Sequence, residues 1–210
     1  INTRKMMRNK MMVQKIHMND SDEEEETNGS ETITVHNNKV MFHVDVNREN
    51  IFKLIQCLNK AKEYVMIHNI HSEFDEINNI YLHIFSDGGE VYCAMTIIDY
   101  IQRSKIPIIT INEGCVASSG VLISLAGKER YIRKNAYMLI HEIRSGCMGK
   151  YSECQDDMEN NDIIMKQVKD YMNERCNNPK LRAKLDKLLT HDKIWNAKKC
   201  LKYGLVDKIV

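Results

Sequence analysis

The sequence predicts an α/β fold with a mostly parallel sheet flanked by helices. Short, predominantly apolar stretches such as Ile80–Phe85 and Pro107–Ile111 are typical of strands that are buried on both faces. Stretches with helical spacing of apolar residues lie between these strands, as in a parallel sheet with crossover helices. A chain of 210 residues is long enough for one domain with a sizeable core.

Residues 1–32 are expected to form a tail, and residues 33–210 the folded domain. Ile1–Met18 is basic and contains no acid, whereas Asp20–Glu26 is acidic. Blocks of like charge stay solvated, so we expect this tail to be disordered. A basic, acid-poor segment is also typical of an organelle-targeting presequence. The expected location is therefore the cytoplasm, or an organelle stroma or matrix if the tail is a presequence.

The first half of the domain alternates predicted strands and helices. Strand-forming residues predict strands at Ile33–Val35 and Val40–Val46, and Asn47 is a predicted cap for a helix that ends near Tyr64. Residues 65–78 are polar and are expected to form a loop. A strand, a helix, a strand and a short apolar helix then follow in the order Ile80–Phe85, Val91–Ile101, Pro107–Ile111 and Ser118–Ala126.

The second half begins with predicted strands at Tyr131–Ile132 and Ala136–Ile143. A long, mostly polar helix over Ser152–Cys176 comes next, and its sparse apolar positions predict that it projects or packs against another subunit. Helical segments over Lys180–Leu189 and Asn196–Tyr203 close the chain, and Gly204 ends the last of them.

Composition argues against several classes of function. The net charge is +1 and the basic clusters are short, so nucleic-acid binding is not expected, and no apolar run approaches the roughly 20 residues of a membrane-spanning helix. The seven cysteines are scattered without a CxxC pair, which predicts no disulfide framework and a reducing compartment. The chain has no GxxxxGK[ST] phosphate loop. No cofactor or metal is expected, because His68 and His71 have no further ligand pair.

Ser118 is the candidate nucleophile. It lies where a strand ends and a helix is predicted to begin, and unpaired N–H groups at a helix start favour a developing negative charge. Its small neighbours Ala117 and Gly120 leave room for a substrate carbonyl. From this segment alone, a serine that only caps the helix is the more common interpretation. Cys115 is a competing nucleophile, but it lacks the position at the helix start.

Three further segments have the residue types that a serine nucleophile needs. Ser86–Gly89 follows a buried strand, and its two glycines let backbone N–H groups approach a ligand, as an oxyanion hole requires. His141 ends an apolar strand and is a candidate base. Asp192 precedes the last helix and is a candidate for orienting the imidazole. Each also has a plain structural interpretation when it is taken alone. Ser86–Gly89 could be an ordinary turn, His141 a structural histidine and Asp192 a surface acid.

In this order, and with Tyr203–Ile209 at the end, these segments resemble the ClpP family, the proteolytic subunits of the Clp protease. The resemblance covers about residues 38–210 and implies a ClpP/crotonase-like fold. It implies a catalytic triad of Ser118, His141 and Asp192. It also assigns the oxyanion-hole amides to Gly89 and Ser119. Substrate binding is implied for Gly88 and for a strand at the start of a handle region, about residues 144–176, with Gly146, Cys147 and Met148.

The resemblance further implies a serine endopeptidase that degrades unfolded polypeptides in protein quality control. Two heptameric rings would stack into a barrel, joined by the handle helix, and an AAA+ unfoldase would supply ATP hydrolysis. The sequence differs from the usual family pattern at Asp87, where proline is common, and at Glu142–Ile143, where Gln-Pro is common.

Three alternatives remain open from the sequence. The chain could be an inactive structural subunit of a ClpP-type ring. It could be a crotonase-like enzyme acting on an acyl thioester, for which Asp87 is the carboxylate nearest the oxyanion site. It could also be a maturation protease that cuts one partner without an unfoldase.

Overall fold

A computed structural model describes residues 32–72 and 76–210. The predicted tail therefore lies outside the described residues, except for Thr32, which begins the first strand. The strands are β1 (Thr32–His36), β2 (Lys39–His43), β3 (Ile80–Ser86), β4 (Ile108–Ala117), β5 (Arg130–Ile132), β6 (Tyr137–Ile140), β7 (Lys193–Asn196) and β8 (Lys208–Ile209). The helices are α1 (Arg48–His71), α2 (Val91–Gln102), α3 (Ser119–Leu125), α4 (Tyr151–Cys176), α5 (Pro179–Arg182), α6 (Leu185–Leu189) and α7 (Ala197–Lys202).

The strands form one sheet in the order β1-β2-β3-β4-β5-β8, with β6 beside β4 and β7 beside β6. Parallel pairing joins β2 to β3, β3 to β4, β4 to both β5 and β6, and β5 to β8. The β1–β2 and β6–β7 pairs are antiparallel. The predicted α/β fold is confirmed, and the mostly parallel character holds for the centre of the sheet but not for these two pairs.

Strand β4 positions the later elements because it is long enough to pair with two strands on one side. Its Thr110–Asn112 portion pairs with β5, and its Cys115–Ala117 portion pairs with β6. The register of β3 against β4 shifts between Ile84 and Ser86, just before β3 ends, and Ser86 pairs with Val116 near the end of β4. As a result β3, β4 and β6 end close together, and the loops after them meet at one edge.

Helix α1 is longer than the sequence predicts. Its buried face continues past the expected end at Tyr64 through Val65, which is fully packed in the core. Asn69 then exchanges two hydrogen bonds with the backbone of Ile77, both at 2.9 Å, and so fixes the chain that returns to β3. Residues 65–71 include four apolar residues and stay helical through this packing, so the predicted polar loop over 65–78 is wrong for this part.

Helix α4 has the predicted long, polar character. Only Val168, Met172 and Cys176, all near its C-terminal end, are buried. Apolar side chains of its first half are exposed, Tyr151 by 82% and Met158 by 68%. The domain leaves most of this half exposed, although the Cys147–Cys154 disulfide joins the preceding segment to it, so the helix projects from the domain as expected.

Two expectations for residues 141–150 are wrong. This segment forms no strand, since a strand needs a backbone partner along its length, and the one backbone–backbone hydrogen bond that its N–H groups donate within the described residues is from Glu142 to Leu189 O at 2.9 Å. Cys147 and Cys154 form a disulfide, because the segment folds back on the first turn of α4 and brings their Cα atoms within 5.5 Å. The other cysteines are free, as expected.

No helix in the described ranges has both the length and the apolar character needed to cross a bilayer.

An ion pair between Arg130 and Asp207 ties the two strands β5 and β8 to the end of α4. Arg130 Nε donates to Asp207 Oδ2 at 2.9 Å, and its NH1 donates to the carbonyls of Arg175 and Gly204. Burial alone would raise the pKa of Asp207, but the hydrogen bonds and charge of Arg130 outweigh burial and lower it.

We expect Arg130→Met to reduce the free energy of unfolding by about 2 kcal/mol and Tm by about 4–8 °C. The effect is smaller than for a fully buried pair because the side chain of Asp207 is 41% exposed and water screens it. The control is Lys53→Met, which breaks the exposed Lys53–Glu49 pair and should change Tm by less than about 1 °C. Thermal unfolding followed by circular dichroism measures both.

The pair also predicts how stability depends on pH. A carboxylate whose pKa is lowered by folding stabilises the folded state above its unfolded pKa, and this stabilisation is lost as the pH falls through the folded pKa. The difference in Tm between the parent and Asp207→Asn should therefore be full at neutral pH and shrink below about pH 4. Equal Tm values for Arg130→Met and the parent at pH 7 would contradict this role.

Candidate active site

Ser118 lies between β4 and α3 in a conformation that few residues adopt. Its backbone has φ 53° and ψ −126°, and its N–H donates to Leu139 O of β6 at 2.9 Å. Strained dihedrals of this kind persist only where surrounding contacts enforce them, and they cluster at functional sites. The Ser118 side chain makes no hydrogen bond to the start of α3, so its hydroxyl does not serve as a helix cap.

His141 and Asp192 are brought together by the pairing of β6 with β7. Ile140 pairs with Lys193 in this antiparallel register, so the next residue of β6 faces the residue before β7. His141 Nδ1 lies 3.6 Å from Asp192 Oδ1, and the histidine side chain is only 11% exposed. Because Nδ1 faces the carboxylate, Nε2 is left for a reaction partner.

The loop after β3 packs directly against the serine. Gly88 has φ 96°, and a Cβ atom there would lie 2.7 Å from Ser118 Cβ, so no side chain fits. Gly89 has φ 139° and pairs with Val46, and a Cβ atom there would lie 2.2 Å from Val46 O. The glycines therefore allow the backbone of this loop to approach Ser118 more closely than any other residue type would.

Two backbone N–H groups beside Ser118 have no acceptor within the described residues. The neighbours of Gly89 in the loop are used, since Gly88 N–H donates to Ser86 Oγ and Glu90 N–H donates to Val46 O. The N–H of Gly89 itself makes no such bond, and neither does that of Ser119, the first residue of α3. Unpaired N–H groups next to a nucleophile are the donors that an oxyanion hole requires.

A cavity of about 400 Å³ joins these groups. Its polar wall includes Asp87, Gly89, Ser118, Ser119 and His141. A largely apolar, buried part of the wall is formed by Val121, Leu122, Ile140, Val168, Met172 and Leu189, and the wall also includes the exposed charged residues Glu90, Glu142 and Arg144. The nucleophile, the base and an apolar recess of side-chain size therefore face one space.

The remaining candidates take up other positions. Asp192 lies behind His141 and does not line the cavity, which is the arrangement expected of an orienting acid. Gly146, Cys147 and Met148 are exposed and lie outside the cavity wall. Asp87 does line the cavity and is itself exposed.

Cys115 does not fit the role of nucleophile. It lies in β4 outside the cavity wall. Burial, with a smaller contribution from the charge of Asp87, raises the pKa of its thiol, so the reactive thiolate is disfavoured. The described residues also contain no group of three or more His, Cys, Asp or Glu side chains able to hold a metal ion, and both His68 and His71 lie on α1.

Sequence reasoning missed two features of the site. Arg144 lines the cavity and donates to Asp192 Oδ2, a contact across 48 residues that local pattern does not reveal. The apolar recess is formed by residues of α3, β6, α4 and α6. In the sequence, the pattern around each of these residues is that of an ordinary core residue. A signal for the recess exists only in the sparse apolar positions of α4, which include Val168 and Met172.

Comparisons with known proteins identify the family and the fold of this chain. The family model described as Clp protease matches residues 45–210. Among solved structures, the fold is similar to that of a ClpP1 mutant from Listeria monocytogenes, with a TM-score of 0.69 and 20% sequence identity. The match covers 83% of this chain and 91% of that one. Since the family model spans most of the chain, the protein belongs to the Clp protease family.

Proposed function

We propose that this protein is a serine endopeptidase that hydrolyses peptide bonds of unfolded polypeptides. The observation that supports this most is the shared cavity. A serine hydroxyl not used for capping, a histidine with a carboxylate behind it, and two unpaired N–H groups meet there. Membership of the Clp protease family supports a peptidase in general, and the cavity supports the serine mechanism.

In the proposed mechanism, Ser118 Oγ attacks the carbonyl carbon of the scissile bond while His141 Nε2 accepts the hydroxyl proton. The N–H groups of Gly89 and Ser119 donate to the oxyanion of the tetrahedral intermediate. His141 then gives the proton to the leaving amine, and water hydrolyses the acyl-enzyme by the same route. Asp192 keeps the proton of the neutral imidazole on Nδ1 and stabilises the charged form.

The apolar recess beside Ser118 suggests the kind of residue that precedes the cleaved bond. Its walls present the buried side chains of Leu122, Val168 and Met172 to the cavity. The charged residues of the cavity wall, Asp87, Glu90, Glu142 and Arg144, are all exposed. An apolar side chain of the substrate would bury there, whereas a charged one would lose its hydration without gaining a partner.

We also propose that the active form is a barrel of two stacked heptameric rings, fed by an AAA+ unfoldase. Support comes from the family, from the exposed apolar side chains along the first half of α4, and from the absence of a phosphate loop in the sequence. An oligomer would cover those side chains, and a separate ATPase would supply the energy for unfolding.

A peptide hydrolysis assay tests the proposed activity. The purified full chain, at its native particle mass, should release the fluorophore from a peptide with leucine before the scissile bond. The rate should be at least about tenfold higher than for the matched peptide with aspartate there. A serine-directed fluorophosphonate should abolish the release. An assembled particle that cleaves neither peptide would contradict the proposal and favour an inactive ring subunit. Turnover of an acyl-CoA thioester in place of both peptides would favour the crotonase-like alternative.

A further inference from the structure

The carboxylate of Asp192 needs a second contact if it is to orient His141. Its side chain is 52% exposed and lies in the turn before β7, so nothing in its own segment fixes the carboxyl group. The 3.6 Å separation between Asp192 Oδ1 and His141 Nδ1 is longer than a hydrogen bond. This contact alone therefore leaves the carboxylate free to turn toward water.

Arg144 supplies that second contact. Its guanidinium NH2 donates to Asp192 Oδ2, which leaves Oδ1 on the side of His141 Nδ1. The two backbones are held as well, because Glu142 N–H donates to Leu189 O at 2.9 Å and β6 pairs with β7 on the other side. One carboxylate thus has its two oxygens divided between an arginine and the candidate base.

We propose that Arg144 is a positioning residue that holds Asp192 against His141 and that acts through Asp192, not on the substrate. This inference rests on the proposed serine peptidase function. It adds to the triad a fourth side chain, supplied by the segment that leads from β6 toward α4.

Arg144 has two opposite effects on the rate of hydrolysis. Its positive charge partly neutralises the Asp192 carboxylate, which would stabilise the protonated His141 less well and so slow the reaction. Arg144 is 74% exposed, however, so water screens this charge and the effect is small. Loss of orientation removes a hydrogen bond to a charged group, which is worth more than a screened charge at this distance. We therefore expect removal of Arg144 to slow turnover.

Stability separates a positioning role from a structural one. An exposed ion pair contributes little to the free energy of unfolding, so loss of Arg144 should leave Tm within about 1 °C of the parent. Arg133 offers a matched control, because it is also a partly exposed arginine paired with a carboxylate, at 3.2 Å from Glu113, and it lies outside the cavity wall.

The test uses the full chain in its native particle and the fluorogenic peptide with leucine before the scissile bond, here called the leucine peptide. Arg144→Met should lower kcat about tenfold with KM within about twofold, and Arg144→Lys, which keeps one donor, should recover to within about threefold of the parent. In an Asp192→Asn background, Arg144→Met should change kcat by less than about twofold, because the group through which it acts is already gone. Arg133→Met should match the parent.

Three results would overturn the inference. A tenfold loss in both backgrounds would show that Arg144 acts on the substrate, and a loss confined to KM would show the same. If Arg144→Met had the same kcat as the parent, the Arg144–Asp192 contact would be an ordinary surface ion pair with no effect on turnover. These failures are distinct from failure of the proposed function, which would appear as a parent particle with no hydrolysis that depends on Ser118, and which would remove the basis of this inference too.

Discussion

Replacing Ser118 with alanine is expected to lower the rate of peptide hydrolysis by at least about 10⁴-fold while the particle still assembles. The hydroxyl is the proposed nucleophile, and it makes no helix-capping hydrogen bond that the fold would lose. The strained backbone at Ser118 is imposed by its N–H bond to Leu139 and by the close approach of Gly88, both of which remain in the alanine variant. The measurement is kcat/KM for the leucine peptide, together with particle mass and Tm.

The neighbouring serine provides the matched control. Ser119 is buried, and its hydroxyl has no hydrogen-bond partner within the described residues, so only its N–H group is assigned a role. Ser119→Ala keeps that N–H group and should retain kcat/KM within about threefold of the parent, with equal or higher stability. A loss of activity in Ser119→Ala with full activity in Ser118→Ala would reverse the assignment of the nucleophile.

Replacing Gly89 with alanine is expected to lower kcat by about 10²- to 10³-fold, the usual cost of one oxyanion-hole donor. The added Cβ atom would lie 2.2 Å from Val46 O, and φ 139° is unfavourable for any side chain. The loop must move, and its N–H group moves away from the position that the oxyanion would take. The change is measured as kcat on the leucine peptide, with Tm recorded because the same strain also lowers stability.

Gly120→Ala is the matched control for this variant. Gly120 lies in α3 and, contrary to the expectation that it leaves room for the substrate, it faces Ser86 and Val116 outside the cavity wall. An added Cβ atom would meet these two residues at 3.4 Å, the lower end of ordinary contact. Alanine is also the better helix former, so the fold and the activity should be retained. If Gly89→Ala folds and turns over at the parent rate, its N–H group has no part in stabilising the oxyanion.

The elements that formed as predicted are those with strong local patterns. The apolar run of β3 and the helical spacing of α2 and α4 agree with the structure to within one residue at each end. The predicted end of β4 at Ile111 is wrong, because the strand continues to Ala117 by pairing with β6. Strand β7 is absent from the prediction because Lys193–Asn196 is short and polar at both ends. It becomes a strand only through pairing with β6.

The candidate site depends both on local sequence patterns and on the pairing of segments that are distant in sequence. Gly88, Gly89 and Ser118 follow strand ends, where turn residues and small residues give a readable local signal. The approach of Asp192 to His141 is set by the β6–β7 register, and the contact of Arg144 with Asp192 is set by the path of the chain after β6. Neither register nor path is encoded locally, so the sequence assigns Asp192 to His141 only through the family resemblance and does not reveal Arg144 at all.

The Cys147–Cys154 disulfide was not predicted for the same reason, because it depends on the path of the chain. Cys147 and Cys154 are close in sequence, but the segment around Cys147 has no regular structure and no pattern that fixes its direction. Their pairing follows from the turn into α4, where Glu153 accepts a hydrogen bond from Lys150 N–H at 2.9 Å.

Covalent labelling tests the central claim most directly, namely that Ser118 is a nucleophile activated by His141. The native particle is treated with a fluorophosphonate, and tandem mass spectrometry of its peptides locates the adduct. We predict one adduct, on Ser118, which is absent in Ser118→Ala and at least about 10²-fold slower to form in His141→Ala. A correctly assembled particle with no adduct, or with the adduct on Ser119 or Cys115, would contradict the account.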